Sequence, residues 1–530
     1  MKRFIAFNLV LLTFLACSNA GKPEEHNYTI PTWTLYQRAL KAGKSAEEAR
    51  SILISKDYPY NINTTINGDP STQMGVAWFT NAGVSKGVVQ IAEGEVDRFS
   101  FFMKTTEVQA ISVSVDTLDY TGEQGRIAEL LASGDFASGN KRSYNSNKAL
   151  ITNLKPNTTY SYRVGNRGAW SEVGRFTTAK GNKDQYEFIY ITDTQANTDE
   201  QFDISKKTVE TAYKQIPDAK FVIVTGDLVN TGRYEWEWEQ WFEKMQNIWL
   251  KLPLVPVQGN HDSGLHSNMF YHFNTDKSYN AGQATDAAKT RMDGTVYSFV
   301  YGDALFLVMS YESYSRGEPY FTALEQWMRR QIAANADVKW KIAAFHKTMF
   351  TGASHQNDSD GKIIRERMAP AFQEMGIDFV LQGHDHVYAV IGVLQAEKTA
   401  DGVVYRHLPE AVSGQKMVTP TFTDGTIASN PSISVTGKEG GIFNVTNGVL
   451  YFLNNSAGRK KYYPKSKEQM DASYPIHGVN NYFELFNKLG QTSEPTFSRI
   501  SVSTQAIKVD TYTVDEQGKT ELFDSFSIVK

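Results

Sequence analysis

From residue 188 onward the chain carries six short, unbroken apolar runs. They are FIYIT at 188–192, FVIVT at 221–225, LVPV at 254–257, ALFLVM at 304–309, KIAAF at 341–345 and IDFVL at 377–381. A strand with one wet face alternates apolar and polar residues. A run without alternation needs apolar cover on both faces, so these are strands buried between layers. Helix-forming stretches lie between several of them, at 233–249 and 319–335. Buried strands alternating with helices of that length predict a layered α/β domain.

Five of the six runs end on metal-ligand chemistry. FIYIT runs into Asp193, FVIVT into Gly226-Asp227, and LVPV into Gln258-Gly259-Asn260-His261-Asp262. KIAAF runs into His346, and IDFVL into Gln382-Gly383-His384-Asp385-His386. Ligands of open α/β sheets bind at the carboxyl ends of the strands, so all five tips are expected to face one crevice. Taken singly, each motif has a bland explanation: an Asp after a strand caps a helix, and an isolated His sits in the core or on the surface. Taken together they do not, because four of only ten histidines fall in GNHD, FHK and GHDH, each directly after an apolar strand. Oxygen and nitrogen donors converging in this way suit two cations held around a bridging carboxylate. Cys17 is the only cysteine, which excludes an internal disulfide framework and any cysteine-ligated cluster. The ligands must therefore come from His, Asp, Glu, Asn or Tyr. Glycine before Asp227, Asn260 and His384 is expected to let the backbone turn sharply and aim each side chain inward.

The rest of the chain has a different texture. Over 62–178, short alternating runs such as Gly75–Phe79 and Ile111–Val115 predict an antiparallel β-sandwich, closed by a turn at 154–159 and a last strand at Phe176–Thr178. Residues 179–185 read as a linker, and 391–448 as an irregular insertion of hairpins and long loops. Alternation returns over 498–529 and predicts antiparallel strands. Residues 21–61 read as a tether followed by an N-terminal helix.

Residues 1–20 read as an export signal. Met1-Lys2-Arg3 is basic, and the apolar stretch from Phe4 to Ala16 is too short to span a bilayer. Phe14-Leu15-Ala16-Cys17 resembles a bacterial lipoprotein cleavage site, although Phe14 stands where Leu is usual. Ser18-Asn19-Ala20 offers ordinary cleavage instead. Both readings place the protein outside the cytoplasm. The lipoprotein reading, with membrane association through a lipidated Cys17 in the bacterial cell envelope, is preferred because the sole cysteine sits there. The other reading is a secreted protein. With Lys+Arg 54 against Asp+Glu 58, the net charge of −4 leaves no basic excess as a nucleic-acid footprint.

The ordered set Asp193, Gly226-Asp227, Gly259-Asn260-His261-Asp262, His346 and Gly383-His384-Asp385-His386 resembles the calcineurin-like metallophosphoesterase superfamily over about 186–390. Trp78-Phe79-Thr80, LKPNTTYSYRVG at 154–165, WSEVGRFTT at 170–178 and VYSFVYGDALFLVMS at 296–310 narrow the resemblance to the purple acid phosphatase branch, with its fibronectin-III-like N-terminal domain. The resemblance implies an α+β, multi-domain chain: an antiparallel β-sandwich, then a layered α/β/β/α metallophosphoesterase domain over 186–530. It implies two divalent or mixed-valence ions of iron, manganese or zinc. Asp193 and His386 would hold the first ion and Asp227 would bridge. Asn260, His346 and His384 would hold the second. His261 would contact the phosphoryl group, with Asp262 orienting its imidazole, and His355 would be a second phosphate contact or acid.

Two positions depart from the pattern. Gln195 stands where the superfamily has His and the purple branch Gly, and is expected either to supply a replacement oxygen ligand or to hydrogen-bond a metal-bound water. Asn230 stands where the purple branch supplies a metal-binding Tyr, and Tyr234 is at the wrong spacing. The expected reaction is hydrolysis of a small phosphate monoester by a metal-bridging hydroxide. A phosphodiesterase or nucleotidase on the same core is the alternative within enzymes. A catalytically dead surface lipoprotein is the alternative outside them, and the intact second-site ligands argue against it.

Overall fold

The computed structural model describes residues 39–45, 48, 58–84, 86–97, 101, 105–118, 141–166, 169–181, 183–263, 267–276, 279, 294–413, 441–472 and 482–530. The expected export signal, with Cys17, lies outside them.

The unbroken runs form strands covered on both sides. In Tyr186–Ile191, Phe188 and Tyr190 point into a core between two sheets, while Ile189 and Ile191 face helices Asp199–Gln215 and Glu235–Trp249. In Ala304–Val308, Phe306 and Val308 join the same central core. Leu305 and Leu307 turn the other way, onto helices Glu318–Ala334 and Ser359–Met375. Period-two alternation therefore sorts one apolar run into two apolar faces, and the layers are helix, sheet, sheet, helix. This is the expected α/β/β/α arrangement.

The strands that carry the candidate ligands run parallel. In the first sheet Ile189 pairs with Val222, and Val222 with Leu254. In the second, Leu305 pairs with Lys341, Ile342 with Phe379 and Phe379 with Leu450. Parallel pairing puts all their carboxyl ends at one edge of the two-sheet stack. The C-terminal strands Thr496–Val502, Ile507–Val514 and Thr520–Val529 extend the first sheet antiparallel, as the alternation predicted. The stretch after 391 was expected to hold hairpins and long loops, and its described part holds a hairpin. Tyr388–Thr399 and Gly402–His407 form a hairpin, and 414–440 lie outside the described residues.

The N-terminal strands form a sandwich around Ile62, Val76, Trp78, Val89, Tyr162, Val164 and Phe176. Its first strand, Tyr60–Thr65, starts inside the stretch expected to be tether. That strand also pairs parallel with Leu254–Pro256 through Thr65 and Leu254, so one twelve-stranded sheet runs through both parts of the chain. Side chains reinforce the join. Asn63 Nδ2 donates to the His272 carbonyl at 2.9 Å, and Thr65 Oγ1 and Asn67 Nδ2 donate to the Asn274 carbonyl at 2.7 Å. These bonds anchor the segment that follows Asp262 on the chain.

Candidate metal centre

All five strand tips converge. Asp193 and Asp227 are buried side by side with His346, His384 and His386. His386 Nε2 lies 3.2 Å from Asp193 Oδ1, and His346 Nε2 lies 3.2 Å from Asp227 Oδ1 and 3.1 Å from Asn260 Oδ1. Three sets of ligand atoms lie within 4.8 Å of one another, and two of them are fully buried, Asp193, Asp227 and His386, and Asp227, His346 and His384, while the third, His355, Asp358 and His384, is partly exposed. The two buried sets share Asp227, the residue expected to bridge. The carbonyls of Thr225 and Lys460 accept from Nδ1 of His346 and His386, at 2.8 and 3.1 Å. With each Nδ1 engaged in this way, each Nε2 is turned into the site.

The donor set fits cations. His384 Nε2 and Gln195 Oε1 are buried with no hydrogen-bond partner among the described residues. A buried polar atom left unpaired costs about 1–3 kcal/mol, which a metal bond would offset. The field agrees. Burial pushes the His346 imidazole down, but Asp227 and Asp193 outweigh it and lift the group to about 10. Burial also opposes ionisation of Asp193, yet His386 and His346 hold its carboxyl below the ordinary range. Burial, then repulsion from His346 and Lys347, holds His384 well below its usual value, so it stays neutral with a lone pair to give.

The backbone achieves this convergence differently from the expected glycine turns. Positive φ falls on the ligands themselves: Asp193 at 54°, Asp227 at 50° and His384 at 76°. Non-glycine residues in that region carry strain, which the surrounding packing must hold. Of the three glycines, only Gly226 has a positive φ, at 87°. Gly259 and Gly383 serve close approach instead. A Cβ on Gly259 would stand 2.2 Å from Asp227 Oδ1, and one on Gly383 would stand 2.2 Å from Thr192 Oγ1.

The remaining predicted residues divide. His261 sits at the rim, its side chain 32% exposed, with Nδ1 facing the Asn230 carbonyl at 2.6 Å and Nε2 3.9 Å from Asp227 Oδ2. Asp262 does not orient it. The Asp262 carboxylate is fully buried and accepts from the amides of Leu228, Val229 and Gly259 at 2.9, 3.2 and 3.0 Å. It ties the Asp227 loop to the Asn260 loop, a structural role. Gln195 Nε2 donates to Asp227 Oδ2 at 3.1 Å, which leaves its Oε1 as the available ligand atom. The His355 ring stacks on His384 with centroids 3.8 Å apart, and its Nδ1 meets Asp358 Oδ2 at 2.6 Å. Asp385, between the two histidine ligands, holds that loop through the amides of Ser354 and His355.

Comparison with known proteins agrees with this geometry. Residues 186–388 match the family described as calcineurin-like phosphoesterase, and residues 59–178 match the purple acid phosphatase N-terminal domain. By these matches the chain carries a calcineurin-like phosphoesterase domain preceded by a domain of the purple acid phosphatase N-terminal type. It is 26% identical over 255 residues to probable purple acid phosphatase 20 of Arabidopsis thaliana, covering 47% of this chain and 56% of that one. It is 27% identical over 202 residues to the human serine/threonine-protein phosphatase CPPED1, covering 36% of this chain and 60% of that one. The chain spans about half the length of the first curated relatives it matches. A purple acid phosphatase from yellow lupin seeds, PPD1, shares the fold with a TM-score of 0.59 at 13% identity, over 89% of this chain and 74% of that one.

A sixth strand tip joins the site, one the sequence reading passed over. The run VLYFL, strand Val449–Leu453, pairs parallel with Phe379–Gln382 and ends in Asn454-Asn455-Ser456. Its loop packs on the first ligand set, and the Tyr462 ring lies 4.6 Å from the His386 ring. The signal was available, since an apolar run followed by polar residues is the rule the other five tips obeyed.

Proposed function

We propose that the protein hydrolyses small phosphate monoesters at a dinuclear centre of divalent ions. The observation that carries this reading is the pair of ligand sets sharing Asp227, with His384 Nε2 and Gln195 Oε1 buried and unpartnered beside them. Asp193, His386, Asp227 and Gln195 Oε1 would hold one ion; Asp227, Asn260, His346 and His384 would hold the other. When bound, two such ions neutralise the ester's negative charge and acidify a water molecule. Asn230 in place of tyrosine removes one anionic ligand from the first set, which favours Mn²⁺, Fe²⁺ or Zn²⁺ over a trivalent ion.

The chain's own groups do the rest. The Thr225 and Lys460 carbonyls lock the ligand imidazoles, and Asp385 fixes the loop that carries His355. His261, turned by the Asn230 carbonyl so that Nε2 faces Asp227, stabilises charge on the transferring phosphoryl group and protonates the leaving oxygen. The test is turnover of an aryl phosphate monoester and a diester in parallel, with metal content measured on wild type and Asp227→Asn. The expected result is two ions per chain, turnover that favours the monoester, and loss of both properties in Asp227→Asn. Full metal occupancy without turnover of either ester would defeat the proposal.

We also infer, from residues 1–17 alone, export with a lipid on Cys17. Detergent-phase partitioning of wild type that persists unchanged in Cys17→Ala would overturn this.

A further inference from the structure

The loop after Val449–Leu453 wraps the first ligand set. Ser456 Oγ donates to the Asp193 carbonyl at 2.9 Å, the Gly458 amide donates to the same carbonyl at 3.2 Å, and the Tyr462 amide donates to the His386 carbonyl at 3.1 Å. The backbone between residues 456 and 462 is thereby tied at both ends to two ligands. Lys460 stands in the middle of this span. Its carbonyl accepts from His386 Nδ1, and its ammonium donates to Asn230 Oδ1 at 3.2 Å. The carbonyl of the same Asn230 faces His261 Nδ1 at 2.6 Å. A lysine charge is therefore placed next to His261, at the position three residues after the bridging carboxylate.

We propose that Lys460 is a substrate-binding residue whose ammonium donates to a non-bridging oxygen of the phosphoryl group, with Asn230 Oδ1 holding it at the rim of the site. The inference rests on the phosphoester reading above and deepens it. An ammonium has three donors, and the neutral Asn230 amide takes one. Among the described residues no carboxylate forms an ion pair with Lys460. The nearby Glu237 carboxyl is pushed by burial to about 8, so at neutral pH it is mostly uncharged and does not cancel the lysine. The side chain is half-buried, which leaves its field only partly screened. Attraction scales with ligand charge, so the ammonium favours a dianionic monoester over a monoanionic diester.

The test uses metal-loaded full chain as wild type, Lys460→Met and Lys460→Arg. Inorganic phosphate binding is measured by calorimetry, alongside metal content and steady-state kinetics on an aryl monoester and a diester. Lys460→Met is expected to keep its ions, to weaken phosphate binding and raise the monoester KM by roughly tenfold or more, and to affect the diester by about two- to threefold. Lys460→Arg is expected to recover most of the phosphate affinity. Unchanged phosphate affinity in Lys460→Met would overturn the inference. So would loss of metal, or equal losses on both esters, because Lys460 would then only anchor the loop. A wild type that binds phosphate through Lys460 but turns over neither ester would defeat the hydrolase reading alone.

Discussion

Replacing Gly259 by alanine separates close approach from backbone freedom. Gly259 has no positive φ, so alanine is conformationally allowed there. Its Cβ, however, would stand 2.2 Å from Asp227 Oδ1 and 2.3 Å from the Asp227 amide nitrogen. Ordinary contact between heavy atoms lies at about 3.5 Å, so one side must yield by roughly an ångström. The Asp227 amide belongs to a strained, buried turn and yields little. The carboxylate can swing aside, and the contact with the amide is relieved only if the Gly259 turn, with Asn260 next to it, shifts as well. Overpacking of this kind costs about 1–3 kcal/mol of stability, which in a chain of this size lowers Tm by several degrees. Displacing the shared ligand by about an ångström should cost about a hundredfold in turnover. The assay is metal content after chelation and reloading, thermal unfolding, and kcat/KM on an aryl phosphate. Gly83→Ala is the control, since a Cβ there meets nothing within 4 Å. Wild-type metal content, Tm and turnover in Gly259→Ala would refute the close-packing account of this motif.

Three further outcomes are expected. His261→Ala should keep its ions, because the residue belongs to neither buried ligand set, and should lose about 10²–10³-fold in turnover; wild-type rates across pH would remove His261 from the reaction. Aerobic iron loading should give no strong visible band, since Asn230 cannot act as tyrosinate and the Tyr234 hydroxyl lies 3.5 Å from Arg233 Nη2; a strong band would implicate Tyr462, whose phenol is held protonated by burial and by neighbouring carboxylates. Glu237 has a folded-state value raised from 4.5 to about 8, so its contribution is fully present below about 4.5 and is lost as pH rises through about 8. Glu237→Gln should therefore lose less stability than wild type between pH 6 and 9 in urea titrations, and parallel curves would show that this carboxyl ionises elsewhere.

What could be read ahead follows from how each signal arises. Continuous apolar runs exist because both faces are covered, so Phe188 against Ile189 already implied a core on each side of the strand, and the order of four layers was what the resemblance implied. The pairing of Tyr60–Thr65 with Leu254–Pro256 was not legible. Its register rests on a single residue pair, Thr65 with Leu254, and on Asn and Thr side chains 174 to 209 residues away in sequence from their partners. Such polar residues carry no period. The role of Asp262 was misread for a related reason. Adjacency to His261 in sequence suggested contact, but side chains of consecutive residues point apart, and the carboxylate instead satisfies three amides of the turns beside it.

The sixth tip shows why residue type can hide a site. Five tips announced themselves with Asp, Asn or His, the side chains that bind metal directly. Asn454-Asn455-Ser456-Ala457-Gly458 resembles any surface loop, because most of its work is done by the backbone and by neutral side chains. Asn455 Nδ2 is shared among Gln491, Thr492 and Glu494, and Ser456 Oγ reaches the Asp193 carbonyl. The Lys460 carbonyl that orients His386 would be supplied equally well by any residue at that position. The Lys460 side chain is the one that reaches Asn230. A lone lysine in a run of basic residues signals little until folding sets it against Asn230. Asn230, one of the two departures from the family pattern, is then physically linked to Lys460. Where a tyrosinate would bring a negative charge to the metal, this chain places a neutral amide whose free oxygen holds a positive one. On the reading proposed above, that positive charge would replace part of what a ferric ion would have contributed to phosphate binding.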